Sequence, residues 1–226
     1  MNETTADPEK LLLIEKLAAA GQQDYESLGL SDLARITNMP ESCIKNHFQN
    51  VDEWIDAFYC LLVEQYRAML MDVPDYDQYT VGEKLLNFGL SSMDLMRENY
   101  ELVGSTFYPF IFNRFTSTRF EKLVEEMFRE FTEQDGRVAL SNQLVLISPV
   151  YTIWSREYLN MINYWVQHPG SEQKVMGLME KSATLLNEIL YNGVFDKAFD
   201  LGKYVINNEF LSLLTPLSVA RRIFRF

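Results

Sequence analysis

The stretch Leu30–Phe48, LSDLARITNMPESCIKNHF, predicts two short helices joined by a tight turn. Apolar residues recur at helical spacing in its first part, and Ser31 is a candidate N-cap. Asn38 suits the left-handed conformation that ends many helices. Pro40 suits the first turn of the next helix, because its missing amide hydrogen would have no partner there. The stretch therefore predicts a helix, a break of about three residues and a second helix.

The second helix places Ile44 and Phe48 one turn apart, so both are expected to face a core. The residues expected to face outward are Glu41, Ser42, Cys43, Lys45, Asn46 and His47. Two helices with this connection match the helix-turn-helix pattern, in which the second helix enters a DNA major groove. By spacing alone, an ordinary helical hairpin in an all-α protein fits equally well.

The residues of this region resemble the tetracycline-repressor (TetR) family of bacterial regulators. Leu33-Ala34 stands where the family has an Ile-Ala pair, and Asn38-Met39-Pro40 occupies the turn usually written Gly-Val-Ser. His47-Phe48 keeps the end of the recognition helix, and Val51–Trp54 begins the helix that leaves the domain. The match covers about residues 10 to 60 without gaps. It implies a DNA-binding N-terminal domain and a helical C-terminal domain for dimerisation and ligand binding.

The chain departs from the family at positions that face DNA. Lys45 replaces the usual Tyr, and Val51 followed by two acids replaces the Lys that contacts phosphate. Residues 1–67 carry twelve acidic and five basic residues, a net charge of about −7. Because DNA affinity depends largely on phosphate neutralisation, this balance predicts weak non-specific binding. The candidate DNA-contacting residues are Arg35, Ser42, Cys43, Lys45, Asn46 and His47.

The composition suits an acidic, cytoplasmic, all-α protein. The 226 residues carry a formal net charge of −12, and 47% of them are apolar. The two cysteines, Cys43 and Cys60, form no disulfide framework, which fits a reducing compartment. Cys43 is interpreted as a tolerated small side chain, with a thiol sensor as the alternative. No signal peptide and no apolar run of transmembrane length is found, so no membrane association is expected.

An enzyme is not expected. The only histidines are His47 and His168, and no closely spaced set of His, Cys and carboxylate residues in the sequence indicates a metal site. There is no phosphate-binding glycine loop and no nucleophile elbow. We therefore predict no catalytic residues, no metal and no cofactor.

Helical periodicity continues along the chain and predicts two domains, a three-helix helix-turn-helix domain over 1–55 and a larger helical domain over 56–226. The predicted helices span residues 8–21, 52–71, 81–99, 118–134, 148–167 and 171–192, with an aromatic stretch interrupted by Pro109 between the third and fourth. A further amphipathic helix is expected over 195–214, and the ending PLSVARRIFRF is expected to dock against the body or a partner protomer.

Two C-terminal helices have wide apolar faces that suit a four-helix bundle between two copies. The resemblance implies that arrangement, and the residues expected at the homodimer interface are Val175, Leu178, Met179, Leu185, Leu186 and Ile189. Plain core packing accounts for part of each face.

Flexible and aromatic side chains in the middle helices suggest a ligand cavity, although most of them also suit a plain core. The candidate ligand-binding residues are Met93, Met96, Phe107, Tyr108, Phe110, Met127, Trp154, Tyr158 and Met161.

The sequence thus predicts a homodimeric transcriptional repressor of TetR type, released from its operator or retuned on it by a small apolar or amphipathic molecule. The alternative is a TetR-like dimer that has lost DNA binding and acts as a ligand- or protein-binding module.

Overall fold

The computed structural model describes residues 8–19, 25–138 and 148–191, and the regular elements within them are helical. Two single 3₁₀ turns and one π-helical segment accompany nine α-helices in this part of the chain. The all-α prediction is confirmed for these residues. The helices are α1 (Pro8–Ala18), α2 (Leu30–Thr37), α3 (Glu41–His47), α4 (Val51–Leu70), α5 (Val81–Arg97), α6 (Tyr100–Thr106), α7 (Arg119–Glu133), α8 (Ser148–Gln167) and α9 (Glu172–Tyr191).

The predicted pair of helices is confirmed as α2 and α3. Asn38 ends α2 in the left-handed conformation, with φ 52° and ψ 42°. Pro40 is the N-cap residue of α3, one position before the first helical turn where the sequence placed it. The prediction of Ser31 as N-cap of α2 is wrong. Gly29 holds that position in an extended conformation, and its N–H donates to the Asp32 carboxylate at 3.0 Å.

Helix α4 joins the first three helices to the rest of the protein. Its N-cap is Asn50, whose side chain accepts a hydrogen bond from the N–H of Glu53 at 2.8 Å. Trp54 is buried with Ile44 and Phe48 of the helix-turn-helix region, whereas Tyr66 is buried beside Phe88 of α5. A single continuous helix therefore contributes to both ends of the hydrophobic core.

The interruption expected at Pro109 takes the form of a π-helical segment, Phe107–Phe112, which continues directly from α6. The Asn113 N–H donates to the carbonyl of Tyr108, five residues earlier, at 2.8 Å. A proline inside a helix has no N–H to donate and its ring crowds the preceding turn, so a wider local turn is a physical accommodation. Arg156 of α8 donates to the carbonyl of Phe112 at 3.0 Å, which ties this segment to α8.

Helices α5 and α9 cross at close range because glycine lies at the contact. A Cβ atom at Gly82 would clash with the backbone oxygen of Ala183. The Gly82 N–H donates to the Asn187 side chain at 2.8 Å, so polar contacts also join the two helices. About two turns farther along α5, a Cβ at Gly89 would lie 2.9 Å from the flexible Met179 thioether.

Most predicted helix ends agree with the structure. Those of α4, α5 and α7 and the C-terminal end of α8 lie within two residues of the predicted positions. The expected helix over 195–214 and the terminal PLSVARRIFRF lie outside the described residues. In the part of the chain that is described, no helix has the length and apolar content needed to cross a membrane.

A polar cluster anchors the end of α9 against α5 and the end of α7. The Tyr191 hydroxyl donates to the Asp135 carboxylate at 2.5 Å and accepts from the Val81 N–H at 2.8 Å. Arg137 donates to the same carboxylate at 2.8 Å. Burial alone would raise the pKa of Asp135, but the hydrogen bonds from Arg137 and Tyr191 outweigh it and lower the pKa to about 2.

We expect Asp135 to make the stability of the protein dependent on acid pH. Its pKa is lower in the folded state than the ordinary 3.8, so its contribution is complete above about pH 4 and is lost as pH falls toward 2. That contribution is about 2 kcal/mol. Urea unfolding of wild type and Asp135→Asn at several pH values measures it. The difference between the two proteins should shrink below pH 4, and a constant difference would contradict this assignment.

Candidate nucleic-acid interface and apolar groove

The outward surface of α3 is smaller than the sequence predicted. Ser42, Lys45 and Asn46 are exposed as expected. The prediction that Cys43 faces outward is wrong, because Cys43 is only 9% exposed and lies next to Ile44 on the buried side. A helix of seven residues makes about two turns, so a small error in its rotational phase moves a boundary residue to the other face. His47 is partly buried, with 13% of its side chain exposed.

Cys43 and His47 both contact Glu9 of α1. The Cys43 thiol donates to one carboxylate oxygen at 2.9 Å, and His47 Nε2 lies 3.2 Å from the other. The potential ligand atoms of the three residues all lie within 4.8 Å of one another. Sequence spacing gave no indication of this cluster, because Glu9 is 34 residues away from Cys43.

The four basic side chains of α1, α2 and α3 all have partners within the protein. Lys45 forms an ion pair with Glu41 at 2.6 Å, and Arg35 forms one with Asp32 at 3.2 Å. Both basic side chains remain exposed, at 57% and 78%. The pairing with Lys45, by hydrogen bond and by charge, lowers the pKa of Glu41. An acidic oxygen therefore lies beside each exposed cation of this surface.

The other two cations stabilise the packing of α1. Lys16 donates to the carbonyl of Thr37 at 3.2 Å, at the end of α2. The Lys10 ammonium lies 5.4 Å from the centre of the Phe48 ring. Lys16 therefore supports the turn between α2 and α3, and Lys10 supports the end of α3.

An apolar groove lies between α5, α7, α8 and α9. Its volume is about 410 Å³, and it is open on one side. Glu157 and Ser182 bring charge and a hydroxyl to a lining that is otherwise almost entirely apolar. The lining residues are Leu85, Leu86, Gly89, Phe128, Trp154, Glu157, Tyr158, Met161, Leu178, Met179, Ser182, Ala183, Leu185, Leu186 and Ile189.

The groove brings together residues that the sequence assigned to two different roles. Three of the candidate ligand-binding residues line it: Trp154, Tyr158 and Met161. So do five of the six candidate interface residues: Leu178, Met179, Leu185, Leu186 and Ile189. Leu178 and Leu185 are 51% and 61% exposed, whereas Val175 is buried in the core.

The remaining candidate ligand-binding residues do not line this groove. Tyr108 is exposed on the π-helical segment, and the others fill the interior: Met93, Met96, Phe107, Phe110 and Met127. Helix α5 also lines the groove, through Leu85, Leu86 and Gly89, and none of these residues was among the predicted site residues. Gly89 was the available signal, because a glycine inside a strongly amphipathic helix often marks a close approach.

Several polar contacts fasten α4 to the elements around the groove. Asp56 accepts hydrogen bonds from the backbone N–H groups of Arg119 and Phe120, both at 3.0 Å, at the start of α7. Burial raises the pKa of Asp56 despite these bonds. Arg67 pairs with Glu130 of α7 at 2.7 Å. Two further contacts lie at the π-helical side of α4: Asp52 with Arg114, and Tyr59 with Thr106.

Comparison with known proteins identifies similar folds. No protein-family model matches the chain, and neither does any curated protein sequence. The fatty acid degradation regulator FadR from Bacillus halodurans matches in structure with a TM-score of 0.51 and 15% identity, over 80% of this chain and 95% of that one. The TetR family repressor AlkX from Dietzia sp. strain DQ12-45-1b, implicated in biodegradation of n-alkanes, gives a TM-score of 0.43 and 17% identity, over 81% and 97% of the two chains.

The similarity to FadR covers four fifths of this chain. At 15% identity it describes the fold and not the residues that recognise a ligand or DNA. The similarity to FadR therefore supports the all-α fold that the sequence predicted, over the residues that the structure describes.

Proposed function

We propose that the protein is a DNA-binding transcriptional regulator, with residues 1–55 contacting DNA and the remainder binding an effector and a second copy of the chain. The observation that carries the proposal is the arrangement at the two ends of α4. The helix-turn-helix lies at its start, and the helices that line the apolar groove pack against the rest of it. The exposed Lys45 and Asn46 are the groups on α3 that suit contacts to phosphate and base edges. Arg35 and Ser42 add contacts at the border of that surface.

The proposed mechanism depends on the connections of α4. Phe128 of α7 and Trp154 of α8 line the groove, and α7 is bonded to α4 through Asp56. A small apolar or amphipathic molecule that displaces α7 or α8 would therefore tilt α4. In a twofold dimer this tilt changes the distance between the two α3 helices, which must match about one turn of DNA. Repressor release is the expected result.

Charge is expected to set the strength of DNA binding. Asp32 and Glu41 form ion pairs with Arg35 and Lys45, the two cations that would otherwise neutralise phosphates. Selection of bound fragments from genomic DNA, followed by titration at increasing salt, tests the proposal directly. For a DNA-binding regulator, the logarithm of the binding constant falls linearly with the logarithm of the salt concentration. If the wild type bound no duplex at low salt, and Lys45→Ala did not change that result, the alternative would be favoured. The protein would then be a helical dimer that binds a ligand or a protein and not DNA.

The Glu41→Gln variant should bind DNA more tightly than wild type. Removal of the carboxylate frees Lys45 for a phosphate, so we expect about threefold tighter binding at low salt and a salt slope steeper by about 0.9. Fluorescence anisotropy with a selected fragment measures both. Glu64→Gln is the matched control, because Glu64 is exposed farther along α4. Equal gains in the two variants would indicate an effect of net charge alone and would contradict a contact by Lys45.

The exposed apolar side of the groove is expected to be covered in a homodimer. Leu185→Glu would place a charge where a second copy packs, so the variant should be monomeric or dissociate at least tenfold more readily in analytical ultracentrifugation. Met71→Glu is the control, since Met71 is an exposed apolar residue at the end of α4. A dimer that persists unchanged in Leu185→Glu would place the interface elsewhere.

The groove is also expected to bind amphipathic molecules. The probe is anilinonaphthalene sulfonate, whose fluorescence rises in apolar surroundings, and its binding should weaken tenfold or more in Ser182→Trp because the indole fills the groove. Thr184→Trp is the matched control on the exposed side of α9, outside the lining residues. The same weakening in both variants, or in neither, would show that the probe binds elsewhere.

A further inference from the structure

Three side chains with metal-binding donors converge between α1 and α3, away from the groove. Cys43 and His47 are four residues apart and therefore lie on one side of α3. Glu9 of α1 faces both of them, with its two carboxylate oxygens 2.9 Å from the thiol sulfur and 3.2 Å from the imidazole Nε2. One sulfur, one nitrogen and one oxygen are thus directed at the same small volume, within 4.8 Å of one another.

The donor set fits Zn²⁺ better than other common cations. Zinc accepts thiolate, imidazole and carboxylate ligands at about 2.3, 2.0 and 2.0–2.2 Å, in tetrahedral geometry. Those bond lengths place neighbouring ligand atoms roughly 3.3–3.6 Å apart. The observed separations of 2.9 Å (sulfur to one carboxylate oxygen) and 3.2 Å (nitrogen to the other) would widen slightly around an ion. The sulfur and the nitrogen, which lie within 4.8 Å of each other, would also move to about 3.5 Å apart. Mg²⁺ and Ca²⁺ prefer oxygen ligands, so the sulfur argues against them.

Burial in the cluster also suits a bound ion. Cys43 is 9% exposed, which protects a thiolate from solvent, whereas the Glu9 side chain is 54% exposed and leaves a path for the ion to enter. Hydrogen bonds already hold the three groups together, so little side-chain entropy remains to be lost when a metal replaces the shared proton. The remaining coordination position would be taken by water.

We propose that Glu9, Cys43 and His47 bind one Zn²⁺ per chain and thereby fasten α1 to α3. On binding, the Cys43 thiol releases its proton to solvent and a sulfur–zinc bond forms. The carboxylate supplies the second protein ligand, and the neutral imidazole supplies the third through Nε2, as the tautomer that carries its proton on Nδ1. The ion and the thiolate together add one positive charge beside α3. The site does not depend on DNA binding, so it is tested on the free protein.

The experiment uses the full, untagged chain, stripped of metal with a chelator and titrated with Co²⁺ and then Zn²⁺. Cobalt bound by a thiolate absorbs in the near ultraviolet through a sulfur-to-metal charge-transfer band, which binding to surface carboxylates does not produce. We expect one Co²⁺ per chain, displacement of the band by Zn²⁺, and a higher unfolding temperature with increasing zinc. A wild-type chain that gives no such band would overturn the proposal.

Matched variants identify the ligands, because the chain contains two cysteines and two histidines. Cys43→Ser should abolish the band, and His47→Asn and Glu9→Gln should weaken zinc binding by at least about tenfold. Cys60→Ser, His168→Asn and Glu15→Gln should bind as wild type does. Circular dichroism checks that each variant is folded. Retention of the band in Cys43→Ser, or its loss in Cys60→Ser, would show that the cluster is only a hydrogen-bonded contact between helices.

Discussion

The burial of the middle turns of α4, Trp54–Val63, on almost all their sides is the constraint on which the rest of the structure depends. Its first turns complete the core of the helix-turn-helix region through Trp54 and Ile55, and its later turns pack through Tyr59 and Tyr66 against the body. A helix that is buried at both ends of one hydrophobic core transmits a displacement from one end to the other, since packed interiors deform little. Asp56 strengthens this connection, because it accepts two backbone hydrogen bonds at the start of α7.

The small size of the helix-turn-helix unit explains why α3 offers so little unpaired positive charge. In a small three-helix unit the core is limited, so side-chain contacts between helices contribute a larger share of stability. Lys10 and Lys16 serve that purpose, and Lys45 and Arg35 pair with acids one turn away on their own helices. These surface pairs contribute little to folding. In the proposed DNA complex they would compete with phosphate, and so lower DNA affinity more than they raise stability.

Local features of the fold were predictable from the sequence, and contacts between distant residues were not. The turn at Asn38 and the break at Pro109 follow from backbone chemistry, and helical periodicity gave the ends of α4 and α5 within two residues. The burial of Cys43 depends on how α1 packs against α3, and a contact between residues 34 positions apart cannot be predicted from a local sequence pattern. The groove depends in the same way on α5 approaching α9 at Gly82 and Gly89. The sequence did predict the groove residues on α8 and α9, because a long helix shows its apolar stripe clearly in the sequence.

The shared lining of the groove has a thermodynamic consequence for the proposed regulator. Residues assigned to the ligand and residues assigned to the partner lie on one surface, with Leu178 and Leu185 at its open side. A molecule held there would be covered by the second copy, so it would lose contact with water only in the dimer. Ligand binding and dimerisation are then coupled, and each strengthens the other by the same factor. Because only a dimer presents two α3 helices to DNA, an effector in this groove must act by tilting α4 and not by separating the protomers.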